Sequence, residues 1–525
     1  MTIGELLTGQ ARVRPGALAL VDDRARRALT FSGLADEVGH AAAWWQSQGL
    51  GRWQAVLVFV PMSADLYVAL LALFRLGAVA LFLDPSAGRE HIERCCARWA
   101  PDALLAISKA HLLRLRSRAL RRIPIKASIG CWVPGARRWP GRWRNDASAA
   151  NLAQPEDAAL VTFTSGSTGV PKAALRTHRF LLAQHRALES SIALEAGEVD
   201  LATLPVFVLA NLAAGVTTVI PDVDLRRPGA VDAERVFAQI ERHGVTRLTA
   251  SPAFMERLIA HGRATGRMLP ALSKLYTGGA PVFPRLLEAL CELAPQADAV
   301  AVYGSTEAEP IAHIEAGAMS PDDLAAMRAG RGLLAGAPVS EVSLRILRDR
   351  WGMPRGETTA EKFAMETMPV GEAGEIAVTG DHVLKGYLGG VGDEETKFRV
   401  DGEVWHRTGD AGLLDQRGRL WLLGRCAARI EDTRGSLYPL GVECTAMTYP
   451  AVSRAAVLAD AGKRLLVIEG NADEELKRRL REGTAWAFLH AVIFIRVMPL
   501  DKRHNAKIDY PALRRQLQMK QSLME

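Results

Sequence analysis

For most of its first 300 residues the chain alternates short apolar runs with helical patterns. Such alternation confines the fold to parallel β-sheets whose crossover helices cover the sheet faces. Ala55–Val60, Val79–Leu83 and Ala103–Ile107 read as strands, and Ser63–Leu76 and Arg89–Arg98 as helices. Leu201–Leu204, Thr217–Ile220, Arg247–Ala250, Lys274–Thr277 and Ala299–Tyr303 continue the strand series. From about Ser340 the texture changes. Glu341–Leu347, Gly374–Val378 and Arg419–Leu423 are short strands joined by Gly/Asp turns, which predicts a small antiparallel barrel or sheet. Asp349–Met368 is polar and irregular and reads as a surface loop. After Arg425 come strands at Ala455–Leu458, Arg464–Ile468 and Val492–Arg496, with a helix at Asp473–Arg481. The expected organisation is a large α/β domain over 1–425 and a small mobile α+β domain over 426–525.

Between the apolar strand Ala158–Phe163 and a helical pattern from about His178 lies Thr164-Ser165-Gly166-Ser167-Thr168-Gly169, with Lys172 three residues on. Glycines let a backbone approach a phosphate, Ser/Thr hydroxyls donate to its oxygens, and a lysine adds a point charge. The segment therefore suits a nucleotide polyphosphate. It is not a Walker loop, which needs four residues between its glycines and Ser/Thr after the lysine. Here two residues separate Gly166 and Gly169, and Ala173 follows Lys172.

Three further motifs follow. Tyr303-Gly304-Ser305-Thr306-Glu307 ends an apolar strand, where a ligand is expected in a parallel sheet. Thr306 can donate to phosphate, Glu307 offers a hard oxygen to Mg²⁺, and the Tyr303 ring can stack on a purine. Thr408-Gly409-Asp410 precedes Gly424-Arg425, with Gly386-Tyr387-Leu388 upstream. Arg503-His504-Asn505-Ala506-Lys507-Ile508 lies near the C-terminus. In type and in order, these motifs resemble those of the adenylate-forming superfamily: acyl-CoA synthetases, luciferases and peptide-synthetase adenylation domains.

The resemblance implies an ATP- and Mg²⁺-dependent activation of a carboxylic acid to an acyl-adenylate. It implies that Thr164, Ser165, Gly166, Ser167, Thr168, Gly169 and Lys172 hold phosphates and that Glu307 holds the metal. Gly278, Gly279, Ala280, Tyr303, Gly304, Ser305 and Thr306 would line the nucleotide site. Asp410 would accept from both ribose hydroxyls, Arg425 would contact ribose or phosphate at the hinge, and Lys507 would bridge carboxylate and α-phosphate. Thr164, Lys172, Glu307 and Lys507 would carry the catalysis. The segments Leu204–Asn211, Gly215–Asp222, Gly435–Pro439 and Arg503–Ile508 are similar to those of the β-lactone synthetases of bacterial olefin biosynthesis. That branch implies a long-chain β-hydroxy acid whose own hydroxyl displaces AMP. An acyl-CoA synthetase or a carrier-protein loader is the alternative. Ala427 stands where many superfamily members carry Asp or Lys as a hinge pivot. The acyl pocket is expected around Val206, Phe207, Asn211 and Val302, in segments that can also be core strands.

The net charge is +7, with a concentration of arginines between Lys109 and Arg144. It reads first as a solvated face, and secondly as a weak attraction for anionic lipid or other enzymes of a lipid pathway. No nucleic-acid partner is expected. The six cysteines show no metal spacing, and the N-terminus lacks a basic region followed by a long apolar one. A cytoplasmic enzyme is expected.

Overall fold

The computed structural model describes residues 1–84, 87–141, 148–165, 171–500 and 508–522. The chain divides into two compact units: Met1–Asp222 with Asp381–Glu394, and Val223–Gly380 with Glu395–Glu525.

The first unit contains strands β1 (Leu18–Asp22), β2 (Arg27–Thr30), β3 (Ala55–Phe59), β4 (Val79–Phe82), β5 (Ala103–Ile107) and β6 (Ile125–Ile129). They are followed by β7 (Arg137–Arg138), β8 (Ala158–Ser165), β9 (Pro171–Thr177), β10 (Val199–Ala202) and β11 (Thr217–Ile220). A seven-stranded sheet runs β7-β6-β5-β3-β4-β8-β9. It is parallel except for β9, which folds back antiparallel on β8. Strands β10, β11 and β1 pair in parallel, with β2 antiparallel at the edge. The apolar run after Ser63 is the helix Ala64–Leu76. Ser63 caps it by accepting from the Leu66 amide, and Gly77 ends it at φ +66°. Tyr67, Val68, Ala72, Leu73 and Leu76 are fully buried in it, which explains a hydropathy approaching that of a membrane span. No helix among the described residues is long and apolar enough to cross a membrane.

The second unit begins with β12 (Arg247–Ala250), β13 (Lys274–Gly278), β14 (Asp298–Ser305), β15 (Ala308–Glu315) and β16 (Leu333–Pro338). Next come β17 (Ser343–Leu347), β18 (Gly374–Thr379), β19 (Lys397–Val400), β20 (Glu403–Leu414) and β21 (Leu420–Arg425). β12, β13 and β14 are parallel. β15, β16, β21, β20, β18 and β17 continue in that order, each antiparallel to its neighbour, with β19 added to β20. The antiparallel part expected after Ser340 is therefore present. Its residues after Arg425 form a hairpin, β22 (Ile430–Asp432) and β23 (Gly435–Leu437), and a sheet of β24 (Arg454–Asp460), β25 (Lys463–Glu469) and β26 (Ala491–Ile495). That sheet has its own apolar core around Val442, Val457, Leu466, Ile468 and Leu480.

Two segments differ from expectation. Residues read as possible core strands near Val206 form the helix Pro205–Ala214, started by Pro205 at its first turn and ended by Gly215 at φ +80°. An uninterrupted apolar run of this length carries no period that separates a buried helix from a buried strand. The polar stretch Asp349–Met368 is not wholly irregular. It contains the helix Ala360–Glu366, capped by Thr359, whose Phe363 packs on Phe398 and Trp405.

Candidate active site

In the first unit the hydroxyl-rich segment lies between β8 and the antiparallel β9, and the expected helix, His178–Ser191, follows β9 directly. Thr164 pairs with Lys172 and Ser165 with Pro171 across β8 and β9. Gly166, Ser167, Thr168 and Gly169 lie outside the described residues, as does Lys507. Strand β9 forms because Ala173 and Ala174 are fully buried, Ala173 in the cluster that holds Val161 and Phe163. Lys172 is only 8 % exposed. Its ammonium stands 5.7 Å from the centroid of the Tyr387 ring. Tyr387 is fixed by a backbone bridge to Ala174 and by donation from its amide to Asp393 Oδ1 at 2.8 Å. Gly392, at φ +98°, lies against the lysine stem, where an added Cβ would come within 2.6 Å of Lys172 Cε. Residues 381–394 thus wrap a cationic side chain whose charge is held over a ring face. Tyr387 is a site residue that sequence reasoning treated only as motif context.

In the same unit the helix Pro205–Ala214 presents Val206 as partly exposed, while Phe207 is buried. Asn211 is fully buried and donates to Asp200 Oδ2 at 2.7 Å and to Thr218 Oγ1 at 3.1 Å. Its amide ties the helix to β10 and β11.

In the second unit, Tyr303 near the end of β14 donates from its hydroxyl to Asp410 Oδ2 at 2.8 Å. Asp410 on β20 faces Arg425 on β21 in register, with Arg425 Nε 3.1 Å from Asp410 Oδ1. Burial, and then the Asp410 carboxylate, push the Tyr303 phenol well above its ordinary range, so it stays a donor. Asp410 in turn holds the Arg425 guanidinium firmly charged. Thr306 and Glu307 form the tip between β14 and β15, with the Glu307 amide 3.3 Å from Ser305 Oγ. Gly278 closes β13 against β14, since an added Cβ would meet the Val302 carbonyl oxygen at 2.5 Å. Gly279 follows at φ +86°, with Ala280 next and Gly304 one strand over.

Beneath Asp410 the support is dense. Gly409 has φ +73°, and a Cβ there would come within 2.8 Å of the Trp351 ring. The Arg407 guanidinium lies 5.3 Å from that ring on its way to Glu375, which accepts at 2.9 and 2.8 Å. Arg407 also donates to the carbonyls of Arg350 and Met353, at 3.0 and 2.7 Å. Arg419 locks the start of β21 by bonding Asp323 at 2.6 Å and Asp415 at 2.9 Å. This pairing, with the Ser320 cap, holds the Asp323 carboxyl far below the usual carboxylate range.

After Arg425 the backbone makes the short turn Cys426–Ala428 and enters the β22–β23 hairpin. Asp349 gathers this region, pairing with Arg429 at 2.7 Å and accepting from Tyr438 at 2.8 Å. Further along, Leu500 bridges Ile508, and the Asp509 amide donates to Pro499 O at 2.9 Å. Tyr510 then donates to the buried Glu443 at 2.7 Å. Trp351, Asp349, Arg407 and Tyr438 belong to this scaffold and were not anticipated. Asp349 and Trp351 lie in the segment read as a loop, whereas Arg407 directly precedes Thr408-Gly409-Asp410 and Tyr438 falls within Gly435–Pro439, so adjacency to those motifs was the available signal.

A family model described as AMP-binding enzyme matches residues 7–388. This chain belongs to the AMP-binding enzyme family. It is an AMP-forming ligase, and ATP is the nucleotide such enzymes use. The AMP-binding enzyme is 35 % identical over 494 residues to the olefin beta-lactone synthetase of Stenotrophomonas maltophilia strain K279a, covering 89 % of this chain and 87 % of that one. It is 33 % identical over 539 residues to the olefin beta-lactone synthetase of Xanthomonas campestris pv. campestris, covering 95 % and 94 %. Among solved structures, the amide bond synthetase McbA from Marinactinospora thermotolerans shares its fold. The TM-score there is 0.80 at 21 % identity, with 98 % of this chain and 99 % of that one covered.

Proposed function

We propose that this AMP-binding enzyme converts a long-chain β-hydroxy acid to a β-lactone at the expense of ATP. The observation that carries the reading is the identity of 35 and 33 % to two olefin beta-lactone synthetases, each over nearly the whole chain. In the first step the substrate carboxylate attacks the α-phosphorus and pyrophosphate leaves. In the second, the β-hydroxyl oxygen bonds to the activated carbonyl carbon, its proton passes to solvent, and AMP leaves with the electron pair of the broken C–O bond. The nucleophile is tethered, so effective molarity replaces an external thiol, up to roughly 10⁵ M or more for well-oriented groups.

The roles follow from the chemistry of the side chains. Lys172, with the hydroxyls from Thr164 to Thr168, neutralises the polyphosphate. Asp410 accepts from the ribose hydroxyls, and Arg425 shares that end of the nucleotide. Lys507 stabilises charge as carboxylate and α-phosphate meet, and residues 426–525 act as a domain hinged at Arg425. Among the described residues no three His, Cys, Asp or Glu side chains are grouped to hold a metal. Mg²⁺ usually takes one or two carboxylates plus substrate phosphates, and a single Glu307 at a hairpin tip fits that donor set. When bound, Mg²⁺ would supply charge neutralisation on the leaving pyrophosphate. The apolar side chains of Val206, Phe207 and Val302 suit contact with an alkyl chain. The carboxylic acid class is general to the family, whereas the β-hydroxyl and the chain length belong to this proposal.

Mass spectrometry of products tests it. A β-hydroxy fatty acid with ATP and Mg²⁺ should yield AMP and a lactone without CoA, while the acid lacking the hydroxyl should stop at the adenylate. Rapid thioester formation from the plain acid once CoA is added, with no lactone from the hydroxy acid, would make the protein an acyl-CoA synthetase.

A further inference from the structure

The net positive charge of this protein arises in one stretch. Residues 103–145 carry eleven Lys and Arg and no Asp or Glu. The remaining chain has 54 basic and 58 acidic residues, a net charge of −4. Within the first unit the described part of this stretch lies at the β7 end of the seven-stranded sheet. It runs from β5 through the turn Ala110–Leu115, the short helix Arg118–Arg122, β6 and a loop to β7.

The fold brings these pieces together. Arg121 donates to the carbonyl of Leu115 at 2.9 Å, joining helix to turn. Arg114 donates to Pro134 O at 3.1 Å, and Ser108 to Cys131 O at 2.9 Å, joining the turn to the loop that carries Trp132. Glu93 is the acidic group facing the helix, and it is engaged there with the Ser117 hydroxyl and the Ala119 amide. His111 is buried on Ala127 O, and its pKa is lowered first by burial and then by Arg114 and Lys126.

A solvated basic face needs no apolar tips, yet this one has three. Leu112, Leu115 and Trp132 are 62, 73 and 70 % exposed. The same stretch also exposes Lys109, Arg116, Arg118, Arg122, Arg137 and Arg138. Large apolar side chains set in a cationic field match the interface of an anionic bilayer. There the cations meet headgroups, and Leu and Trp enter the boundary with the acyl chains. A surface that reads charge alone has no use for the apolar trio.

We propose that this face docks the enzyme on anionic membrane surfaces, with Leu112, Leu115 and Trp132 as the inserting residues and the surrounding arginines as headgroup contacts. The attraction is selective by charge, because the rest of the molecule is net acidic and would be held away from the same surface. It is also reversible. Three shallow apolar tips give far less hold than a spanning helix, and the electrostatic part is screened by salt.

The test is sedimentation of the full-length protein with vesicles of phosphatidylcholine alone or with one third phosphatidylglycerol. The readout is binding and needs no turnover, so it stands or falls separately from the lactone assignment. Each cation near such a surface multiplies partitioning about fivefold, so Arg116→Gln/Arg118→Gln/Arg122→Gln should weaken binding to anionic vesicles by roughly a hundredfold. Leu112→Ser/Leu115→Ser/Trp132→Ser should weaken it at least tenfold at unchanged charge. Thermal melts of both variants should match the parent, since all six side chains are exposed or at the surface turn. Loss of the parent's binding in raised salt would agree with the proposal. Equal binding to neutral and anionic vesicles would overturn it. So would an apolar triple variant that binds anionic vesicles, and soluble polyglutamate, as well as the parent does, which would mark a surface for acidic protein.

Discussion

Replacing Asp410 with alanine separates the nucleotide role of this carboxylate from its structural one. Asp410 accepts from Tyr303 at 2.8 Å and faces Arg425 at 3.1 Å. The Arg425 side chain is 55 % exposed, so losing that pair should cost little, within the ~0–1 kcal/mol of surface pairs. The Tyr303 phenol loses its acceptor, a cost of about 1–3 kcal/mol in stability. If the carboxylate also accepts from two ribose hydroxyls, two hydrogen bonds to a charged group disappear, worth roughly 2–4 kcal/mol of binding. That corresponds to a rise in the ATP dissociation constant of about 30- to 1,000-fold. Calorimetric titration of parent and variant with ATP and with 2′,3′-dideoxy-ATP closes a cycle in which the stability term cancels. The parent should prefer ATP strongly and the variant should lose most of that preference. Tyr303→Phe, which leaves the carboxylate in place, should keep it. A variant that discriminates the two nucleotides as well as the parent would refute ribose recognition by Asp410, whatever its absolute affinity.

Lys507→Ala should abolish ATP–pyrophosphate exchange while leaving ATP affinity nearly intact, because its charge acts when carboxylate and α-phosphate meet; near-normal exchange would remove it from the mechanism. Arg407→Ala strips the fully buried Glu375 of its main partner, so denaturant melts should show a loss of about 3–5 kcal/mol. A loss below about 1 kcal/mol would mean that the pair is not the keystone under Trp351. Glu443 is buried and its carboxyl is pushed up to about 7, so the folded protein holds a proton that the unfolded chain releases near 4.5. Stability should therefore fall as pH rises from about 4.5 towards 7, by a total of about 3 kcal/mol from this group. Glu443→Gln should flatten that part of the profile in urea titrations between pH 5 and pH 8, and an unchanged slope would count against the buried carboxyl.

Much of this protein is legible along the chain because the physics involved is local. Alternating runs such as Ala55–Val60 and Ser63–Leu76 encode β3 and its helix through side-chain period, and Ser63 and Gly77 mark the ends by capping chemistry. The hydroxyl-and-glycine segment, Asp410 and Arg425 announce nucleotide chemistry by residue type and order. What the chain does not announce depends on partners far away in sequence. β9 is a strand because Ala173 and Ala174 bury against β8 and its neighbours, not because Pro171–Thr177 alternates cleanly. Tyr387 meets Lys172 across more than two hundred residues. Trp351 lies under Gly409 only because β20 turns there with a positive φ and no Cβ intervenes. Asn211 was expected in the acyl pocket from its place in the Leu204–Asn211 segment, yet the fold engages its amide with Asp200 and Thr218. The basic stretch after Ala103 is plain from composition. That its Leu112, Leu115 and Trp132 point outward among the arginines was decided by tertiary packing, which filled the neighbouring core with His111, Leu120 and Ile123 instead.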